Sequence, residues 1–254
     1  LNINDCADTY FDYLGVDYSS MNRFFKKCLN CGLIYKSIYM TEATKEKYYN
    51  RFRDIGLRNE THEEYFKRIT GLPSNKSENF ERYKFLKPFL KDRGKHMDIG
   101  GGLGVFCYGF QNFFPNWKSL NIEPTDGADK IAKKHGVLSY NMYLTESSAE
   151  LLGQDFDLIT VNHVLEHVDK PINFLKLLKS FTKNEGLIFI DVPSSLDIGY
   201  LDKTHDRFMS HHEVIFDNNI IEQIAIGAGL KILLNENYQS KRERNNIRAL
   251  LKSD

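Results

Sequence analysis

The sequence has no surplus of either charge: 34 basic and 34 acidic residues cancel. No overall field therefore draws the chain to nucleic acid or to an anionic membrane surface, and neither is expected as a partner. Long apolar runs are also missing. None approaches the roughly 20 residues that span a bilayer, and no signal peptide opens the chain. Cysteine is scarce, at positions 6, 28, 31 and 107, which is no disulfide framework. Leu1 is not an initiator Met, so the natural N-terminus is expected to lie upstream. A soluble cytoplasmic protein with a small polar molecule as its partner is the expectation, and its oligomeric state is not legible. At 254 residues there is room for one large domain, or a medium domain with a small companion.

Against these absences, one stretch is glycine-rich, residues 95–106, Lys-His-Met-Asp-Ile-Gly-Gly-Gly-Leu-Gly-Val-Phe. It reads as a strand that ends in a tight turn and restarts as a helix. Glycines at 100, 102 and 104 let the backbone turn sharply and a ligand come close, and the helix start aims free N–H groups into the turn. The dinucleotide pattern G-x-G-x-x-G fails here. Started at Gly100 it meets Val105, and started at Gly102 it meets Cys107. The acidic pattern D-x-G-x-G-x-G fits from Asp98 to Gly104. A carboxylate at the strand end suits a cationic ligand group and would repel a pyrophosphate.

Strands and helices alternate around and beyond this turn, which predicts a mostly parallel sheet with helices on both faces. Strands are expected at 118–122, 137–140, 156–161 and 187–192, with a last pair at 231–235 and 246–252. Helices are expected at 105–114, 127–135, 172–181 and 218–227. Ser77 should cap a helix with Phe80, Tyr83, Leu86 and Phe89 along one face. Glu123 ends the second strand about twenty residues past the glycines, where nucleotide-binding α/β folds hold ribose hydroxyls. Asn162 and His163 end the fourth strand, at the carboxyl edge where such sheets bind ligands. The loop 196–210 is long and polar, as functional loops often are. It carries Asp197, Tyr200, Asp202, His205, Asp206 and Arg207, and His211 and His212 follow. Histidine can serve as a base near neutral pH. Lys241, Arg242 and Arg244 read as a solvated hairpin tip.

The N-terminal part, residues 1–75, is expected to be a separate module, with residues 76–254 as the ligand-binding domain. Gly71 to Asn75 is the linker between them. Cys28-Leu-Asn-Cys31-Gly32 is one half of a zinc knuckle. Upstream only Cys6 could join it, with Asp5 or Asp8 beside it, and two ordinary thiols or a redox pair remain open. From 41 to 65 the chain is charged and aromatic, with Glu42, Glu46, Tyr48, Tyr49, Glu64 and Tyr65 at plausible helical spacing.

Three stretches carry a family resemblance: residues 97–104, the triplet Ile122-Glu123-Pro124, and residues 157–171 with Asn162-His163-Val164-Leu165-Glu166-His167. Together they resemble class I S-adenosylmethionine-dependent methyltransferases, of the group with a small N-terminal zinc-binding module. The resemblance implies a doubly wound, mostly parallel seven-stranded Rossmann-like α/β sheet and transfer of a methyl group from S-adenosylmethionine. It puts Asp98, Gly100, Gly102, Gly104, Glu123, Pro124, Asn162 and His163 on the cofactor. A tyrosine of the 41–65 region would close over it, and the loop 141–150 would cover the adenine, with Asn141 and Glu146 as its candidate readers. His212, four residues before Phe216, takes the place of a substrate-side histidine; His205 and His163 are further candidates for the catalytic base. Glu166 and His167 read as a structural brace. Zinc is a second candidate cofactor, on Cys6, Cys28 and Cys31, although the first cysteine pair of the group is missing here.

A sugar or phosphorylated metabolite, in surface-polysaccharide biosynthesis, is the expected acceptor. Two rivals stand beside this reading. One is an NAD-dependent nucleotide-sugar enzyme, against which the glycine pattern and the lack of a Tyr-x-x-x-Lys pair both speak. The other is a non-catalytic binding module built on the same fold.

Overall fold

The computed structural model describes residues 1–4, 6–38, 40–51, 55–208 and 211–253. Of the positions named above, Asp5, residues 209–210 and the side chains of Glu42 and Asp206 lie outside the described residues. The chain opens with helix α1 (Thr9–Leu14), a short hairpin of β1 (Phe25–Lys27) and β2 (Ile34–Lys36), and helices α2 (Glu42–Arg51), α3 (Ile55–Arg58) and α4 (His62–Thr70). Then come α5 (Glu78–Leu86), β3 (Gly94–Ile99), α6 (Val105–Phe113), β4 (Trp117–Ile122), α7 (Ala128–Lys134), β5 (Leu138–Tyr140) and α8 (Ala149–Leu152). The second half holds β6 (Phe156–Asn162), α9 (Pro171–Phe181), β7 (Thr182–Pro193), β8 (Val214–Ile215), α10 (Asn218–Gly227), β9 (Leu230–Gln239) and β10 (Asn245–Ser253).

Seven strands form the main sheet in the order β5-β4-β3-β6-β7-β10-β9. The first five run parallel, and β10 pairs antiparallel with both β7 and β9. This is the doubly wound, mostly parallel sheet expected from the alternation of elements. Adjacent strand residues face opposite ways and both faces are covered, so apolar residues stand on both faces of a strand, as Leu158 and Ile159 do. Ile159, Ile188 and Ile190 meet Leu175 and Leu178 of α9 and Ile221 of α10 on one face. Leu158, Phe189 and Leu250 meet Leu86 of α5 and Phe106 and Phe110 of α6 on the other.

Three local expectations change. On α5, Ser77 does cap the helix, accepting from the Phe80 N–H. The buried face, however, is Arg82, Tyr83 and Leu86, and Phe89 is 40 % exposed in a 3-10 turn. Strict every-third spacing drifts around a helix of 3.6 residues per turn, so the far aromatic swings outward. The strand expected at 187–192 begins at Thr182. Phe156 pairs with Thr182 and Leu158 with Leu187, so the expected turn at 184–186 bulges from the strand with Glu185 at φ 64°. The last two strands are longer than their apolar stretches, because each gives the other a hydrogen-bonding edge out to Gln239 and Asn245.

A second, three-stranded sheet joins β1 and β2 to β8, with Ile34 opposite Ile215 and Tyr35 opposite Val214. The turn at 71–75 therefore does not isolate the segments on either side of it. Phe66 of α4 packs with Leu103 and Ala128, the Thr125 hydroxyl oxygen lies 3.1 Å from the Tyr49 carbonyl, and Lys45 pairs with Asp169 at 2.6 Å. No helix among the described residues is long and apolar enough to cross a membrane.

Candidate functional site

The carboxyl ends of β3, β4 and β6 face one cavity of about 1040 Å³. Ordinary ligand pockets run to roughly 300–1,000 Å³, so it can take two small ligands side by side. Between β3 and β6 the strand order reverses, which opens the crevice such sheets use for ligands.

The floor is the glycine turn. Gly100 (φ 66°) and Gly102 (φ 56°) both need the left-handed region that a side chain resists. A Cβ at Gly100 would also strike Val164. Gly102 donates its N–H to Glu123 Oε2 at 2.8 Å. The other Glu123 oxygen accepts from the Thr125 N–H at 2.9 Å and from its hydroxyl at 2.6 Å. Glu123 is thus fixed at the end of β4, 7 % exposed, with its carboxylate lining the cavity beside Pro124.

Beneath the turn runs a buried polar chain. Asp98 Oδ1 accepts from the Thr160 hydroxyl at 2.5 Å and from Asn162 Nδ2 at 3.2 Å. Thr160 Oγ1 lies 2.8 Å from His96 Nε2, and His96 Nδ1 lies 2.9 Å from Ser119 Oγ. With the Thr160 proton committed to Asp98, His96 donates through Nε2 and accepts from Ser119 through Nδ1. Burial holds the His96 imidazole neutral, its pKa pushed down to about 3. Burial likewise pushes Asp98 up to about 7, against the two hydrogen bonds and the charge of Arg82, which favour the carboxylate.

A second wall carries histidines. The 3-10 turn Leu165–His167 follows β6, and His211 and His212 precede β8. His167 Nδ1 lies 2.6 Å from the His211 carbonyl, and the Glu213 N–H donates to the Glu166 carbonyl at 2.8 Å, so the two segments are clamped together. Glu166 is 2 % exposed, and neither carboxylate oxygen accepts a hydrogen bond among the described residues. The closest basic group to it is the His163 ring, with Nδ1 at 3.4 Å. Burial would raise the Glu166 pKa, but the contact with His163 and the fields of His167, His163 and His212 outweigh it and bring it to about 2. His163 stands at φ 55°, with Nε2 3.2 Å from Arg82 Nη2. Burial would lower its pKa, yet Glu166 and Asp191 together raise it. Burial lowers His167 and His211, so both are neutral imidazoles at neutral pH. Tyr48 stacks on His211 with ring centroids 5.8 Å apart, and Tyr49 meets His167 edge-on at 6.3 Å.

Of the residues named from the sequence, Asp98, Gly100, Gly102, Glu123, Pro124, Asn162, His163 and His212 all line the cavity. Gly104 (φ 78°) sits one step behind, where it starts α6 against Ala132. His205 does not reach the cavity; its Nδ1 accepts the Arg207 N–H at 3.2 Å within its own turn. Asn141 does not reach it either, since its amide donates to the Pro124 and Thr125 carbonyls at 3.0 and 2.8 Å. Glu146 is exposed at the start of a 3-10 turn outside the lining. From the loop 141–150 it is Met142, Tyr143 and Leu144 that line the cavity.

Cys6 does not join Cys28 and Cys31 as expected. Cys6 packs with Ile3, Phe25, Phe208 and Ile215, while Cys31 packs against the main core, and among the described residues no group that could hold a metal ion includes Cys6, Cys28 or Cys31. The apolar surroundings of Cys6 hold it in a separate cluster. The Cys31 N–H holds the Cys28 thiol below its ordinary value. Sequence spacing missed Arg82, whose guanidinium holds Asp191 at 2.6 Å across 109 residues. It missed Arg242 and Arg244 as lining residues too. Only their charge could have flagged them.

A family model described as a methyltransferase domain matches residues 73–235. The ubiquinone biosynthesis O-methyltransferase of Actinobacillus pleuropneumoniae is 28% identical over 102 residues, 37% of this chain and 44% of that protein. Its mitochondrial counterpart from Schizosaccharomyces pombe is 28% identical over 127 residues, 46% of each chain. The chain thus spans less than half the length of the curated relatives it matches. Among solved structures, the 1,6-didemethyltoxoflavin-N1-methyltransferase of Burkholderia thailandensis, bound to that compound and S-adenosylhomocysteine, superposes with a TM-score of 0.58 at 14% identity. The match covers 89% of this chain and 98% of that one, and it shows the shared fold.

Proposed function

The chain belongs to the methyltransferase-domain family, and on that premise we propose that it transfers a methyl group from S-adenosylmethionine to a hydroxyl of a small polar acceptor. The observation that carries this reading is the joint placement of the glycine turn, Asp98 and Glu123 on one side of a cavity whose other side is built of histidines. Glu123 takes the ribose hydroxyls. The Asp98 to Gly102 backbone passes along the methionine part, with the Asp98 carboxylate drawing its ammonium group. Met142 and Leu144 offer an apolar bed for the adenine.

The reaction is an in-line displacement at a methyl carbon with a good sulfonium leaving group, so the protein contributes chiefly position and ionisation of the acceptor. His212 is the histidine assigned to that ionisation. Arg58, Arg68, Lys76, Arg242 and Arg244 also line the cavity, and Arg68 and Arg242 are shared with Glu60 and Glu78. Such a lining suits a phosphorylated metabolite or a sugar carrying an anionic group, as in surface-polysaccharide precursors.

The test is calorimetric titration with S-adenosylmethionine, S-adenosylhomocysteine and NAD. Binding of the first two without the third is expected. Binding of NAD alone would overturn the reading in favour of a nicotinamide enzyme, and binding of none would favour a non-catalytic module.

A further inference from the structure

Glu166, His167 and His212 each bring one ligand atom to a common point, all within 4.8 Å of one another. Glu166 and His167 are adjacent in the 3-10 turn after β6, and His212 arrives from the far side of the loop before β8. The Glu213 N–H to Glu166 carbonyl bond and the His167 Nδ1 to His211 carbonyl contact hold these segments in register. Glu166 is the telling member. It is a buried carboxylate whose two oxygens accept no hydrogen bond among the described residues, where the close basic group is the His163 ring at 3.4 Å. A buried anion left this way costs free energy unless a cation meets it. His167 supplies a matching acceptor. Its Nδ1–H is spent on the His211 carbonyl, so the lone pair is on Nε2, the arrangement that fixes a metal-binding imidazole from behind. All three residues line the cavity.

We propose that Glu166, His167 and His212 bind one divalent transition-metal ion of the zinc class, with an open coordination position turned to the cavity. Two imidazoles and one carboxylate suit such an ion, whereas magnesium and calcium take oxygen ligands. Three protein ligands leave a place for one more oxygen. This deepens the methyl-transfer reading and rests on it for the chemistry alone. The acceptor hydroxyl binds the ion, its O–H bond breaks and the proton passes to water. The oxygen then forms a bond to the methyl carbon as the carbon–sulfur bond breaks, and that electron pair stays on sulfur. His212 thus ionises the acceptor through the ion.

The test uses the full chain carrying Cys28→Ser and Cys31→Ser, which removes the competing thiols. After chelator dialysis it is titrated with Zn²⁺ and, separately, with Mg²⁺, and thermal melts of the metal-free protein report folding. One equivalent of zinc and no stoichiometric magnesium are expected. Glu166→Gln and His212→Ala should each weaken zinc binding by about a hundredfold or more, with melts close to the parent. Cobalt(II) loaded into the protein without any site substitution should give visible d–d bands and no thiolate charge-transfer band, a readout that survives if a variant fails to fold. Absence of zinc binding, undiminished zinc affinity in both folded variants, or a thiolate band in the cobalt protein with its cysteines intact overturns the proposal. S-adenosylmethionine is titrated in parallel. Zinc binding without cofactor binding leaves the metal site standing and removes the methyl-transfer reading, and the opposite result does the reverse.

Discussion

Arg82 Nη2 lies 3.2 Å from His163 Nε2, while Arg82 Nε holds Asp191 at 2.6 Å. A guanidinium can only donate, so Nε2 of His163 accepts and its proton resides on Nδ1, toward Glu166. Tyr238 and Asn246 complete the ring around Asp191 at 2.5 and 3.1 Å. The lone pair that a base would need at His163 is therefore already committed.

That commitment separates the three histidines named from the sequence. His212→Ala should lower kcat by roughly a hundredfold or more, since loss of an ionising group costs about 10²–10⁴. His163→Gln should cost less than about tenfold, because its ring serves to position Arg82 and Glu166, and His205→Ala should leave kcat nearly unchanged. The affinity for S-adenosylmethionine, measured beside the rates, should stay level in the His212 and His205 variants. A large loss in His205→Ala would contradict its position outside the cavity.

Glu123→Ala is expected to weaken S-adenosylmethionine binding by about 1–3 kcal/mol, the worth of charge-assisted hydrogen bonds to the ribose. Part of that loss comes from the protein itself, because the Gly102 N–H and Thr125 lose their acceptor. Glu123→Gln keeps an acceptor for one of them and should fall between. Calorimetry of the three proteins checks the order.

Asp98 is pushed up to about 7 by burial. Near neutral pH the empty protein is then a mixture of acid and carboxylate, and the cofactor's ammonium group selects the carboxylate. Affinity should rise about tenfold from pH 6 to pH 8, with a proton released on binding. Stability of the empty protein moves the other way. A raised carboxyl contributes most below its ordinary value of 3.8 and loses that contribution as pH climbs through about 7. Asp98→Asn should flatten both dependences. Titration in two buffers of different ionisation enthalpy would show the proton, and an Asn variant that keeps the full pH slope would assign it elsewhere.

Gly101 stands at an unspecified place of the acidic glycine pattern, yet a Cβ there would land on Asn121 Oδ1 and Asp98 Oδ2. Gly101→Ala should therefore destabilise the protein by about 1–3 kcal/mol and weaken the cofactor site together with it. A variant melting like the parent would mean that Asn121 and Asp98 can both move aside without cost.

The cavity floor was legible in the sequence because it is local. One strand, one turn and one helix start follow each other within residues 94–105, and Glu123 and Asn162 end neighbouring strands. Gly101 escaped because the pattern constrains backbone shape, whereas the clash at this position comes from side chains of two strands. The opposite wall is assembled from pieces far apart in the chain. Arg82, Asp191 and Tyr238 meet only after three elements dock. The tip residues Arg242 and Arg244 carried the charge of a solvated turn; they are exposed as expected, and Arg242 in addition reaches Glu78 at 3.3 Å. The Glu166 and His167 pair, read as a brace, divides in two. His167 Nδ1 braces the His211 carbonyl and the Glu166 carbonyl takes the Glu213 N–H, while the Glu166 carboxylate oxygens accept no hydrogen bond among the described residues.

The two-residue strand β8 begins two positions after His212 and is paired edge to edge with β2. Lys36, the last residue of β2, also donates its N–H to the Glu213 carbonyl at 3.1 Å and sends its ammonium to the Glu213 carboxylate at 3.2 Å. Separating the hairpin from β8 would break backbone pairing two residues from His212, so the shape of the histidine wall depends on a hairpin that does not itself line the cavity. Amide exchange at Lys36 and at Ile215 should then slow together, by a common factor, when the cavity is filled. Unequal slowing would mean that the two pieces move independently.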